Sequence, residues 1–126
     1  MPCRDVHTEP FNVMMGFHHL HRALNVFTKR IYNMSIAFTW SETKRASNLK
    51  VHGLDFVDAA LVFMGLTLLT LDGRFAYPEI RYVSLGLLYG LNVTVVHTEN
   101  ENEIRIISFR KSTKQESETY FDEVQN

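Results

Sequence analysis

Ile80-Arg81-Tyr82-Val83-Ser84-Leu85-Gly86-Leu87-Leu88, then Tyr89-Gly90, then Leu91-Asn92-Val93-Thr94-Val95-Val96-His97-Thr98 decides the fold. Both long segments are rich in β-formers and lie two residues apart. The glycine of Tyr89-Gly90 supplies the positive φ of a tight connection, so the stretch predicts a β-hairpin. Working outward, Glu99–Asn102 is a polar turn and Glu103–Arg110 a further strand. On the other side, Leu66–Leu71 is an apolar β-run ended by the turn signal Asp72-Gly73.

Helices flank this sheet. Ser35–Trp40 reads as a short strand, and Ser41 as the N-cap of a helix reaching Lys50 or Val51, stopped by Gly53. Phe56–Met64 reads as a second helix capped by Asp55. Ser112 to about Val124 reads as a polar closing helix with Ser112 or Thr113 as cap. The expected class is α+β: two helices, an antiparallel sheet and a C-terminal helix.

The 126 residues suit one domain with a modest core. Cys3, the single cysteine, excludes an internal disulfide and a thiolate zinc site, which fits a reducing cytosol. The sequence contains no run of about 18 uncharged apolar residues that could span a membrane. Residues 34–126 carry nine Lys and Arg against twelve Asp and Glu. A nucleic-acid binder more often has a positive excess, so any RNA-binding surface here must arise from local clustering.

The first ten residues read as a loose lead-in. From Asn12 to Tyr32, Val13, Phe17, Leu20, Leu24, Phe27 and Ile31 recur at 4-3-4-3-4 spacing, which predicts an amphipathic helix. His18, His19 and His21 lack acidic or thiol partners and read as a solvated helix face rather than a metal site. His97 reads as a satisfied sheet residue.

Four arginines, Arg74, Arg81, Arg105 and Arg110, lie in or beside apolar strand-like runs. An arginine keeps its charge in such surroundings and must find an anion, either a protein carboxylate or a phosphate. For any one of them a structural pair, such as Arg81 with Glu79 or Asp72, is the bland expectation. Four in one small sheet point toward a phosphate-binding face. Strict alternation would place Ile104, Ile106, Ser108 and Arg110 on one face of the last strand, and Arg105, Ile107 and Phe109 on the other.

The order of elements and the motifs they carry resemble the BrnT family of toxins. The resembling residues are Trp40 and Lys44, Asn48, His52-Gly53, Asp72 and Arg74, then Tyr77, Glu79 and Arg81. The run from Arg105 to Arg110 follows, then Glu116 and Tyr120. The resemblance covers about two thirds of the chain and starts just after Met34. That position favours a translational start at Met34 over a genuine N-terminal extension, and divides the chain into residues 1–33 and a toxin domain, 34–126. Ser41, Val51 and Pro78 stand where the family pattern has an acid, a lysine and a glycine.

The resemblance implies a RelE-like ribonuclease of a bacterial type II toxin–antitoxin pair, working in the cytoplasm without metal or other cofactor. Its implied partners are an RNA substrate and a BrnA-like ribbon-helix-helix antitoxin, with DNA touched only through the antitoxin. Metal-independent RNA cleavage needs a base for the 2′-hydroxyl, cations for the phosphorane and an acid for the leaving 5′-oxygen. The candidate catalytic residues are Arg74, Glu79, Arg81, Arg105, Arg110 and His52; Lys44, Lys111 and Tyr120 are candidates for substrate binding. His52 is equally suited to capping the end of its helix. The lost charges and the acidic balance motivate an alternative, an inactive toxin fold that binds an antitoxin and modulates its DNA repression.

Overall fold

The structure is a computed structural model that describes residues 3–5, 28–30, 32, 35–73 and 78–125. In chain order the elements are β1 (Cys3–Asp5), β2 (Thr28–Arg30), β3 (Ala37–Ser41) and α1 (Glu42–His52). A 3-10 turn (Phe56–Asp58), α2 (Ala59–Phe63) and β4 (Thr67–Leu71) follow. The chain then forms β5 (Tyr82–Leu88), β6 (Leu91–Glu99), β7 (Glu103–Lys111) and α3 (Lys114–Gln125). The strands make one sheet in the order β1-β3-β7-β6-β5-β4-β2.

The α+β class holds, and most boundaries fall where local chemistry puts them. The Ser41 hydroxyl accepts the Lys44 N–H at the start of α1, and Gly53, at φ 75°, ends it in the left-handed region. Asp55 caps the next segment by accepting the Val57 N–H. The predicted second helix is instead a 3-10 turn followed by a five-residue helix. Tyr89 (φ 51°) and Gly90 (φ 85°) form the predicted two-residue hairpin connection.

Two expectations are corrected. The sheet is mixed rather than antiparallel, because β3 pairs with β7 in parallel, Phe38 opposite Ile104. A parallel pair needs a long crossover connection, and here everything from α1 to β6 supplies it. The N-terminal helix was expected to run to Tyr32, yet Thr28–Arg30 is a strand paired with the edge of β4. The free hydrogen-bonding groups of that edge favour an extended segment there. Residues 12–27, including most of the apolar seam, lie outside the described residues.

One face of the sheet is a continuous apolar core. Phe38, Trp40, Val93, Val95, Ile104, Ile106 and Phe109 meet Phe56, Val62 and Phe63 from the helical segment. Phe63 is central, with its ring 5.2 Å from Tyr32 and 5.1 Å from His97. Fully burying one such phenylalanine contributes about 1.5–3 kcal/mol. Gly86 is glycine for a steric reason: a Cβ there would stand 2.6 Å from Val62 Cγ1, inside the core. His97 is buried on this face and meets the satisfied-residue reading at one nitrogen only. Its Nε2 lies 2.8 Å from the Ser84 hydroxyl, while Nδ1 makes no hydrogen bond among the described residues and stands 3.5 Å from Glu99 Oε1.

The opposite face carries α3. Tyr120 packs on Leu68 and Leu85, with Val83 and Val124 beside them. This cluster is much smaller, and polar and charged side chains share the face with it.

Candidate functional site

A bulge in β7 builds the site. Pairing with β6 shifts between Val96 and His97, so Val96 faces Ser108 while His97 faces Ile106, leaving Ile107 as the extra residue. An extra residue reverses the alternation beyond it. Ile104, Ile106 and Phe109 therefore share the apolar core, and Arg105, Ser108 and Arg110 share the other face. Their cross-strand neighbours there are Thr98, Val96 and Thr94. Strict alternation had put the two arginines on opposite faces, an expectation the bulge overturns.

Two ionic clusters occupy this face. In the first, Glu79 Oε2 accepts from Arg105 Nη2 at 3.1 Å and from Arg81 Nε at 3.3 Å. The carboxylate thus bridges the segment before β5 to β7. All three side chains are part-exposed, between 22% and 35%. The pairing of Arg81 with Glu79 is the structural pair that the sequence suggests. Thr39 lies nearby in register with Arg105, its hydroxyl donating to Glu103 at 2.6 Å.

The second cluster ties α3 to the strands. Arg110 donates to both Glu116 oxygens, at 2.8 and 3.0 Å. Glu116 also accepts from the Thr94 hydroxyl and from the Thr113 N–H, while its own N–H donates to Thr113 Oγ1. The last two bonds form a capping box. Burial alone would raise the Glu116 carboxyl, but the bonds from Arg110 and Thr113, the Arg110 charge and the Thr94 hydroxyl outweigh it. They hold the group down to about 2.

The remaining predicted residues are dispersed. Lys44 and His52 are exposed on α1, and Lys111 is exposed at the end of β7. Tyr120 is buried, its hydroxyl donating to the Leu66 carbonyl, and burial raises its pKa. Arg74, together with Tyr77, lies outside the described residues. The structure therefore brings together Glu79, Arg81 and Arg105, and sets Arg110 on the same face.

Three roles escaped the sequence reading. Glu116 is the partner of Arg110, and the Thr113-x-x-Glu116 spacing was the signal that could have placed it. Arg45 grips Asp55 through two bonds and Glu42 through a third, tying α1 to the following loop. These contacts hold the Asp55 carboxyl below its usual value, chiefly through the Arg45 hydrogen bond. Asn48 is buried with its amide on the Phe109 backbone, a long-range contact that no local pattern announces.

The arrangement can bind anions. Three guanidinium groups on one face present planar donor forks, and the anions they now hold are the protein's own carboxylates. Among the described residues no group of three or more His, Cys, Asp or Glu side chains could hold a metal ion.

With this geometry in place, the comparisons with known proteins are specific. The model of a family described as the ribonuclease toxin BrnT of type II toxin–antitoxin systems matches residues 40–116. That match covers more than half of the chain, which belongs to the BrnT family. A solved structure, that of the Brucella abortus ribonuclease toxin BrnT at 1.1 Å, is similar at 24% identity, with a TM-score of 0.45. The similarity covers 60% of this chain and 94% of that one. No curated protein matches the chain. The matched family implies an antitoxin partner. No helix among the described residues is long and apolar enough to cross a membrane.

Proposed function

We propose that the chain is a metal-independent endoribonuclease, RelE-like in its chemistry, that inhibits translation by cutting RNA in the cytoplasm. The observation that carries this reading is the Arg81–Glu79–Arg105 bridge on the open polar face. RNA phosphate would displace Glu79 from the two guanidinium groups and put its carboxylate beside the reacting hydroxyl. Glu79 takes the proton of the 2′-hydroxyl as that oxygen attacks phosphorus. Arg81 and Arg105, with Arg110 and Arg74, neutralise the phosphorane. The bond to the 5′-oxygen breaks, and that oxygen takes a proton from solvent; His52, the other candidate for the base, lies apart at the end of α1. Lys44 and Lys111 hold flanking phosphates. Tyr120, engaged with Leu66, contributes by seating α3.

The proposed toxin domain is residues 34–126, with residues 1–33 as an extension whose strands β1 and β2 pair with β3 and β4. The proposed partner is a BrnA-like ribbon-helix-helix antitoxin that covers the arginine face and carries the contacts to DNA.

One observation favours a second reading, an inactive fold that binds antitoxin and tunes repression. Arg81, Arg105 and Arg110 each hold a carboxylate of the chain itself. Cleavage of purified, protein-free RNA by the full chain in excess EDTA, beside Arg105→Ala, separates the two. Cutting by the parent alone supports the nuclease; no cutting by either, with the antitoxin still bound, supports the binding module.

A further inference from the structure

We infer that Asn48 is a positioning residue for the arginine face, completing β7 where its strand partner departs and thereby fixing Arg110. The inference rests on the proposed RNA-cleaving role of that face.

The parallel pairing of β3 with β7 runs from Ala37–Glu103 to Thr39–Arg105. β3 runs on only through Trp40 and Ser41, paired there with β1 alone, before α1 begins. Among the described residues the following part of β7 has no paired strand on that side. Asn48 takes the place of that strand. Its Oδ1 accepts the Phe109 N–H at 3.1 Å and its Nδ2 donates to the Phe109 carbonyl at 2.7 Å. The same Nδ2 donates to the Leu54 carbonyl at 3.1 Å, tying in the loop that follows His52. One side chain therefore joins α1, the loop after it and the arginine strand.

The choice of residue argues for placement rather than adhesion. Asn48 is the one buried residue of α1, whereas Leu49 and Val51 point outward at 44% and 71% exposure. Apolar packing tolerates sliding; a paired amide fixes both distance and direction. A buried amide is also costly unless its partners are met, so the clamp is all or nothing. The residue it grips, Phe109, lies between Ser108 and Arg110, whose side chains project to the opposite face. Pinning that peptide sets where the Arg110 guanidinium emerges, and it couples the strand to the helix bearing Lys44 and His52.

The test is RNA cleavage by the full chain as parent, Asn48→Ala, Arg110→Ala and the double variant, with Val62→Ala as a destabilised control in the apolar core. All are assayed well below their melting temperatures. For Asn48→Ala we expect kcat to fall about 10- to 100-fold, the size of effect a displaced catalytic group produces, with KM moving less than about threefold. Val62→Ala should stay within about twofold of the parent if lost stability alone is harmless. In the Arg110→Ala background, Asn48→Ala should remove little more, since both act through one group.

Additive losses, or an Asn48→Ala variant no slower than Val62→Ala, would overturn the positioning role while leaving the arginine face intact. Full activity in Arg110→Ala would instead break the site reading, and the inference falls with it, as it does if the parent cuts no RNA. Should Asn48→Ala fail to fold, Asn48→Asp, which has the same shape and keeps an acceptor for the Phe109 N–H but loses the donor to its carbonyl, is read against the same outcomes.

Discussion

On the face covered by α2, Phe38, Phe63, Val95, Ile106 and Phe109 interlock without a charged residue among them. On the face covered by α3, Leu68, Leu85 and Tyr120 make a small apolar patch with Val83 and Val124 beside it, and arginines, carboxylates and hydroxyls gather next to them. The same five central strands build both, so the difference lies in side chains and not in backbone. The first face holds the fold. The second keeps charged groups half in water, where an incoming anion can compete for them. Stability and the proposed RNA binding would then be separated by the thickness of one sheet, and substitutions on the two faces should fail in different ways.

The largest expected effect tests that separation from the core side. Phe63→Ala empties the centre of the apolar face and should cost about 3–5 kcal/mol in urea unfolding. A loss below 1 kcal/mol would mean that the core is not where the stability resides. Next comes Arg105→Ala. Removing one charge-stabilising donor should lower kcat for RNA cleavage about 10²–10³-fold, with the urea midpoint nearly unchanged because the Glu79 pair is part-exposed. A variant that unfolds instead would show that the polar face also holds the fold.

The third expectation is a pH dependence. Glu116 sits at about 2 in the folded chain against an ordinary 4.5. A depressed carboxylate stabilises the fold fully above its unfolded value, and loses that contribution as pH falls from about 4.5 toward 2. Glu116→Gln keeps the capping box but loses the charge paired with Arg110, so it should lose stability near neutrality, about 1 kcal/mol for a part-exposed pair, and show a flatter acid limb. Parallel unfolding-versus-pH curves for parent and variant would remove Glu116 from the account of the polar face.

The smallest effect lies where neither face matters. Tyr89 holds φ 51° in the hairpin connection and is 87% exposed. Asparagine accepts that conformation more readily, so Tyr89→Asn should raise stability by about 0.5–1 kcal/mol, visible as a higher melting temperature. A decrease would mean that the exposed ring makes a contact worth keeping.

What the sequence made legible was local. Ser41, Gly53, Asp55 and Tyr89-Gly90 each act within a few residues, so their chemistry reads directly from the chain. The parallel pairing of β3 with β7 was not legible, because it joins residues far apart and leaves no periodic trace. Nor was the bulge at Ile107: an apolar residue among apolar residues gives no sign that it is the extra one. That single residue decides whether Arg105 and Arg110 share a face. The arginines could therefore be nominated from composition and motif, while their common surface and the carboxylates they hold required coordinates.

The parallel pair has a consequence in time. Thr39 and Glu103 are 64 positions apart, so β3, paired on its other side with β1, lacks its second neighbour until β7 has been synthesised. At bacterial translation rates of about 5–20 residues per second, that interval is roughly 3–13 s. Closing so long a loop also slows the search once both strands exist. During synthesis the hairpin can form early, but the surface that gathers Arg81, Arg105 and Arg110 assembles last. The arginine face proposed to act on RNA is thus incomplete until β7 has left the ribosome.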